Sequence, residues 1–172
     1  MDETELIARI AAALERLAPP PVQVADWTAH PAYVWSARGA EAVLELKAVP
    51  LERLRGIDAQ KASFVENVHR HAAGQAAHDV LLWGSRGMGK SALVKAAVAD
   101  AQGAGAPLAL VQTGGEPDAL TGLPALFAAL GAVDRRFLVF IDDIGFDGPD
   151  AASAARSLRS LLEGGAMARP AN

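Results

Sequence analysis

The sequence predicts an α/β fold built on a parallel sheet, and three observations predict it. Residues 79–97, DVLLWGSRGMGKSALVKAA, read as a short apolar strand, a glycine-rich loop and a helix. Two further apolar runs, PLALVQT at 107–113 and RFLVFIDD at 136–143, have the length and composition of buried strands. Segments of helical periodicity lie between these runs, and strands alternating with helices pair in parallel through right-handed crossovers.

In chain order, residues 3–18 carry Leu6, Ile7, Ile10, Leu14 and Leu17 at helical spacing, with Asp2 and Glu5 placed for a capping box, and Pro19, Pro20 and Pro21 end the helix. Within residues 32–46, Ala32 to Trp35 and Ala42 to Leu46 fit either two short strands around Ser36 and Gly39 or an irregular lead-in. Residues 1–50 are thus expected to be a mainly helical or irregular N-terminal region, with Trp27, Tyr33 and Trp35 packing a small core rather than stacking on a ligand. A helix from Asp58 to about Ala73 puts Phe64, Val65, Val68 and Ala72 on one face, and Gly74 closes it. His69 and His71 stand two apart on that helix and so point in different directions, which fits solvent-facing or packing histidines better than metal binding. After the loop, a helix carrying Leu93, Val94, Ala97 and Val98 ends near Gly103. A short helix holds Leu123, Leu126, Phe127 and Leu130 with Pro124 near its start, and a last helix is expected over 150–162.

Composition narrows the function classes. The chain has 172 residues, half of them apolar and a fifth charged, enough for one domain with a real core. A net charge of −4 gives no broad basic face, so nucleic-acid binding is not indicated. With no cysteine there is no disulfide, no thiolate nucleophile and no Cys-based zinc site. The acidic start MDETE is unlike a signal peptide, and no run approaches the ~18 apolar residues of a membrane span, so a cytoplasmic location is expected.

The loop carries the chemistry. Gly84, Ser85, Arg86, Gly87, Met88, Gly89, Lys90 and Ser91 fit G-x-x-x-x-G-K-[ST] at every defined position, between the strand and helix the pattern requires. The glycines allow backbone conformations in which successive N–H groups turn inward around an anion, and the following helix adds its positive end. Lys90 is placed to reach the β- and γ-phosphates, and the Ser91 hydroxyl to ligate Mg²⁺. A second site follows from the strand ending in Asp142 and Asp143. Parallel sheets bind ligands at the carboxyl ends of their strands, and two adjacent carboxylates there are relieved by a divalent cation. Asp142 fits the Walker B aspartate that holds Mg²⁺, and Asp143 the residue that orients and deprotonates the attacking water. Asp142, Asp143, Ile144 and Gly145 also fit the D-x-x-G turn of GTPases, but the chain has no N-K-x-D to read guanine.

On these motifs residues 51–172 resemble an AAA+-type P-loop ATPase, most similar to a bacterial group of uncharacterised ATP-binding proteins. LLWGSRGMGKSALVKA, FLVFIDDIGFD and LRSLLEGGAMARPAN carry the narrower match, with LRGIDAQKASFVENVHRHAAG in support. The resemblance implies a three-layer αβα P-loop core over residues 51–172, binding of ATP with Mg²⁺, and hydrolysis within a homo-oligomer acting on an unknown protein substrate. It implies that Leu54, Arg55 and Gly56 pack their backbone against adenine. Two departures matter. The second acid is Asp143 where such ATPases have Glu. A sensor strand, an arginine finger and a helical lid are expected beyond Asn172, so the chain reads as an N-terminal portion with an open slot in its sheet, marginally stable and weakly active. The competing expectations are a nucleotide-dependent binding or scaffold module without appreciable turnover, and a P-loop kinase, for which no substrate-side acid or arginine cluster is found.

Overall fold

A computed structural model describes residues 25–144 together with Glu5, Ile7, Arg9, Pro170 and Asn172. Its centre is a four-stranded sheet. Strands β1 (Ala32–Ser36), β2 (Gly39–Val43), β3 (Leu108–Gly114) and β4 (Arg136–Asp142) lie in the order β2-β1-β3-β4. The β1–β2 pair is an antiparallel hairpin, whereas β1–β3 and β3–β4 are parallel. Helices α1 (Asp58–Ala72), α2 (Lys90–Gly103), α3 (Pro117–Thr121) and α4 (Leu123–Gly131) connect or follow the strands, and a 3-10 turn spans Leu51–Arg53.

Alternation along β3 organises the core. Side chains in a strand point to opposite faces in turn, so Leu108 and Leu110 pack with Phe64 and Val68 of α1 and with Leu93, Val94, Val98 and Ala101 of α2. Ala109 and Val111 face the other way and pack with Leu120, Leu123, Leu126 and Leu130 of α3 and α4. Helices thus cover both faces of an open, mostly parallel sheet. β3 is buried on both sides and reads as one apolar run for that reason.

Within the region expected to be mainly helical or irregular, residues 32–43 form a hairpin, the two-strand alternative of the two left open there, and β1 joins the parallel sheet beside β3. The hairpin is hard to read because β2 is GAEAV, poor in β-branched and aromatic residues. Trp27 and Tyr33 are core residues, as expected. Trp27 meets Phe137 edge-on with ring centroids 5.9 Å apart, and the buried Tyr33 hydroxyl donates to the Asp26 carbonyl and accepts from the His30 N–H. The helix expected over 3–18 lies mostly outside the described residues, with Glu5, Ile7 and Arg9 helical. The helix expected over 150–162 lies outside them altogether.

The apolar run Val80, Leu81, Leu82 and Trp83 is not a strand. It has no ladder partner among the described residues, and Val80, Leu81 and Trp83 are 46, 68 and 87% exposed. Apolar composition makes a strand only where a neighbouring strand takes up its N–H and C=O groups, and the edges that β2 and β4 present are not paired with it.

α1 ends in a Schellman motif, with Gly74 at φ +74° and the N–H groups of Gly74 and Gln75 on the carbonyls of His71 and Arg70. Its two histidines tie it down in different directions. His69 Nε2 meets Asp100 Oδ2 of α2 at 2.7 Å, and His71 Nε2 meets the Phe137 carbonyl of β4 at 2.9 Å. Among the described residues no helix is long and apolar enough to cross a membrane.

Candidate functional site

In-register pairing of β3 with β4 brings their carboxyl ends level, Gly114 opposite Asp142. The loop 84–91 lies at this edge. Gly84, Gly87 and Gly89 have φ of +136, +80 and +84°. A Cβ added at any of the three would touch nothing within 4 Å, so it is backbone conformation rather than crowding that calls for glycine there. Gly89 is the N-cap of α2 and offers no side-chain cap, and the first turn of α2 has no acidic residue. The first amides of α2 and its positive end are therefore not neutralised from within the helix.

The structure brings the two halves of the predicted site together. Ser91 Oγ lies 3.2 Å from both Oδ1 and Oδ2 of Asp142, a residue 51 positions further along the chain. Lys90 Nζ donates to the carbonyls of Gly84 (2.8 Å) and Ser85 (3.0 Å), folding over its own loop. Arg86 pairs with Asp143, Nη2 to Oδ2 at 2.6 Å. Met88 is exposed in the loop. Asp143 has φ +54°, the one positive φ outside glycine among the described residues, so the chain turns sharply at the acid.

Three residues of the site carry no motif. Gln112 Nε2 donates to Asp142 Oδ2 at 3.2 Å and holds the carboxylate from the side of β3. The only signal for it in the sequence is a lone amide near the end of an apolar strand. Glu116 folds back so that a Cβ at Gly114 would overlap its carboxylate, which brings a third acid to the edge beside Asp142. Lys61 pins the segment ahead of α1 by donating to the carbonyls of Leu51 (3.3 Å) and Leu54 (2.8 Å) and by pairing with Asp58 at 3.0 Å. That segment packs on α2, the helix that leaves the loop.

A hydroxyl and a carboxylate brought together are hard oxygen donors of the kind Mg²⁺ takes, so Ser91 and Asp142 fit that ion. Open glycines, uncapped amides and two nearby cations suit an anion. Among the described residues there is no group of three His, Cys, Asp or Glu side chains set to hold a metal by themselves, so an ion at Ser91 and Asp142 would take its remaining oxygens from elsewhere. No curated protein and no solved structure matches the chain. One family model does, over residues 28–172, and it places the chain in the family described as "Protein of unknown function (DUF815)".

Proposed function

We propose that this chain binds ATP with Mg²⁺ at the loop 84–91 and hydrolyses it, as an AAA+-type P-loop module. The observation that carries the reading is the 3.2 Å approach of Ser91 Oγ to the Asp142 carboxylate. A strand–loop–helix pattern alone has many uses, but few need a carboxylate from a distant strand against the loop's last hydroxyl.

In this reading the amides of the loop and of α2 hold the polyphosphate, and Lys90 leaves the carbonyls of Gly84 and Ser85 for the β- and γ-phosphate oxygens. Ser91 and Asp142 would hold Mg²⁺, which when bound would supply positive charge to the same oxygens. The water oxygen bonds to the γ-phosphorus while the bond from phosphorus to the β–γ bridging oxygen breaks. The electron pair of that bond leaves with ADP, and the water proton passes to Asp143. Leu54, Arg55 and Gly56 offer their backbone to the adenine. The AAA+-type form is supported by the edge position of β4 among the described residues and by exposed Val80, Leu81 and Trp83. A strand lying between them would pair the one and cover the others. Assembly into a homo-oligomer acting on a protein substrate belongs to the same proposal.

A second reading, an ATP-dependent binding module with little turnover, is favoured by one observation. The acid assigned to the water is an aspartate already paired with Arg86. Fluorescent-ATP binding and phosphate release separate the two. Lys90→Ala is expected to lose binding, and Asp143→Asn to keep binding and lose turnover. Phosphate release undiminished in Asp143→Asn would remove that residue from the reaction, and GTP competing as well as ATP would favour a GTPase.

A further inference from the structure

Arg86 and Asp143 belong to opposite halves of the site, 57 residues apart in sequence, and their side chains are 88% and 68% exposed. The two partners differ in freedom. The Asp143 backbone is packed against a neighbouring segment. Its φ is +54°, and the strand end beyond it runs so close to Gly115 that a Cβ there would lie 2.5 Å from Ile144 Cα and 2.6 Å from the Asp143 carbonyl oxygen. Arg86 is a long, exposed side chain on a loop between positive-φ glycines. Where the pair opens, it is therefore Arg86 that moves. The other cation of the loop, Lys90, is committed to the carbonyls of Gly84 and Ser85 and does not serve Asp143.

We infer that Arg86 is a polyphosphate-displaceable clamp on Asp143. With the pair closed, the guanidinium covers Oδ2, one of the two oxygens with which Asp143 could take up a water. A polyphosphate entering the loop offers the guanidinium several negative oxygens in the planar, two-pronged geometry it favours. Arg86 passes to the phosphates and Asp143 is released in the same event. The exchange is feasible because an exposed ion pair is weak, worth roughly two- to five-fold in an equilibrium. Arg86 is thus a positioning residue that makes the acid more available when the loop is filled. This inference rests on the proposed reading of the loop as a phosphate site.

The test is calorimetric titration of the full chain with inorganic tripolyphosphate in the absence of Mg²⁺, on wild type, Arg86→Ala, Asp143→Asn and the double variant, with Lys90→Ala alongside. Both side chains of the pair are exposed, so the fold is expected to survive, and circular dichroism verifies it. Removing the Asp143 charge frees Arg86, so Asp143→Asn is expected to tighten tripolyphosphate binding roughly two- to five-fold in the wild-type background and by a clearly smaller factor in the Arg86→Ala background. The double-mutant cycle subtracts the general effect of one negative charge fewer. Equal factors in both backgrounds, with binding that still depends on Lys90, overturn the clamp and leave the phosphate site standing. Tripolyphosphate binding that is absent, or indifferent to Lys90→Ala, overturns the phosphate site and the clamp together.

Discussion

Gln112→Glu puts the contact between β3 and the end of β4 to a quantitative test. The native amide donates to Asp142 Oδ2 at 3.2 Å from a half-buried position. A hydrogen bond to a charged group is worth about 1.5–3 kcal/mol, and this one, long and partly exposed, belongs at or below the low end. Glutamate there loses the donor and adds a like charge at about the same distance. Two unit charges ~4 Å apart repel by about 1 kcal/mol in water and about 4 kcal/mol at the effective dielectric of a protein surface. Gln112→Glu should therefore destabilise the fold by roughly 2–5 kcal/mol at neutral pH, and Gln112→Leu, which only deletes the donor, by about 1 kcal/mol. Urea unfolding followed by tryptophan fluorescence measures both, since Trp27 is buried in the core. Mg²⁺ should restore part of the loss in Gln112→Glu and none in Gln112→Leu, because the new carboxylate adds an oxygen donor beside Asp142. Equal stability of Gln112→Glu and Gln112→Leu would refute the contact.

Two other expectations concern the scaffold. Leu126 is fully buried between α4 and the sheet, and Leu126→Ala should cost about 2–5 kcal/mol in urea unfolding; a loss under about 1 kcal/mol would contradict the packing of that face. The Asp26 carboxyl is held below its ordinary value, first by the Thr28 hydroxyl and then by the Thr28 N–H. A lowered folded-state value means that its contribution to stability is complete above the unfolded value and is lost as pH falls through the folded one. Thr28→Val should therefore raise the Asp26 midpoint toward that of a free aspartate in carbon-13 NMR titration, and an unmoved midpoint would argue against the hydroxyl as the main cause.

Much of this fold is written locally. The Leu and Val spacing of α1, α2 and α4 and the apolar runs of β3 and β4 mark elements with a strong pattern of their own, and their bounds fall close to those expected from periodicity. The loop is legible for another reason: Gly84, Gly87 and Gly89 are required by backbone conformation, a property of single residues. Elements that depend on a partner far along the chain are not legible. Val80 to Trp83 has the composition of a strand and lacks the ladder. In the Ala32–Val43 hairpin only β1 has strand composition, and its place in the sheet is set by β3, far along the chain. Gln112, Glu116 and Lys61 matter through register and chain reversal, and the pairing of Arg86 with Asp143 depends on where a positive-φ turn points an exposed acid.

The proposed function requires that Ser91 and Asp142 form one half-site for Mg²⁺ at a polyphosphate loop. Titrating ATP into the full chain with and without Mg²⁺, for wild type and Ser91→Ala, tests that directly. Wild type should bind ATP more tightly when Mg²⁺ is present, and Ser91→Ala should keep its Mg²⁺-free affinity while losing most of that gain. A gain from Mg²⁺ that is unchanged in Ser91→Ala, or a wild-type chain indifferent to ATP, would contradict it.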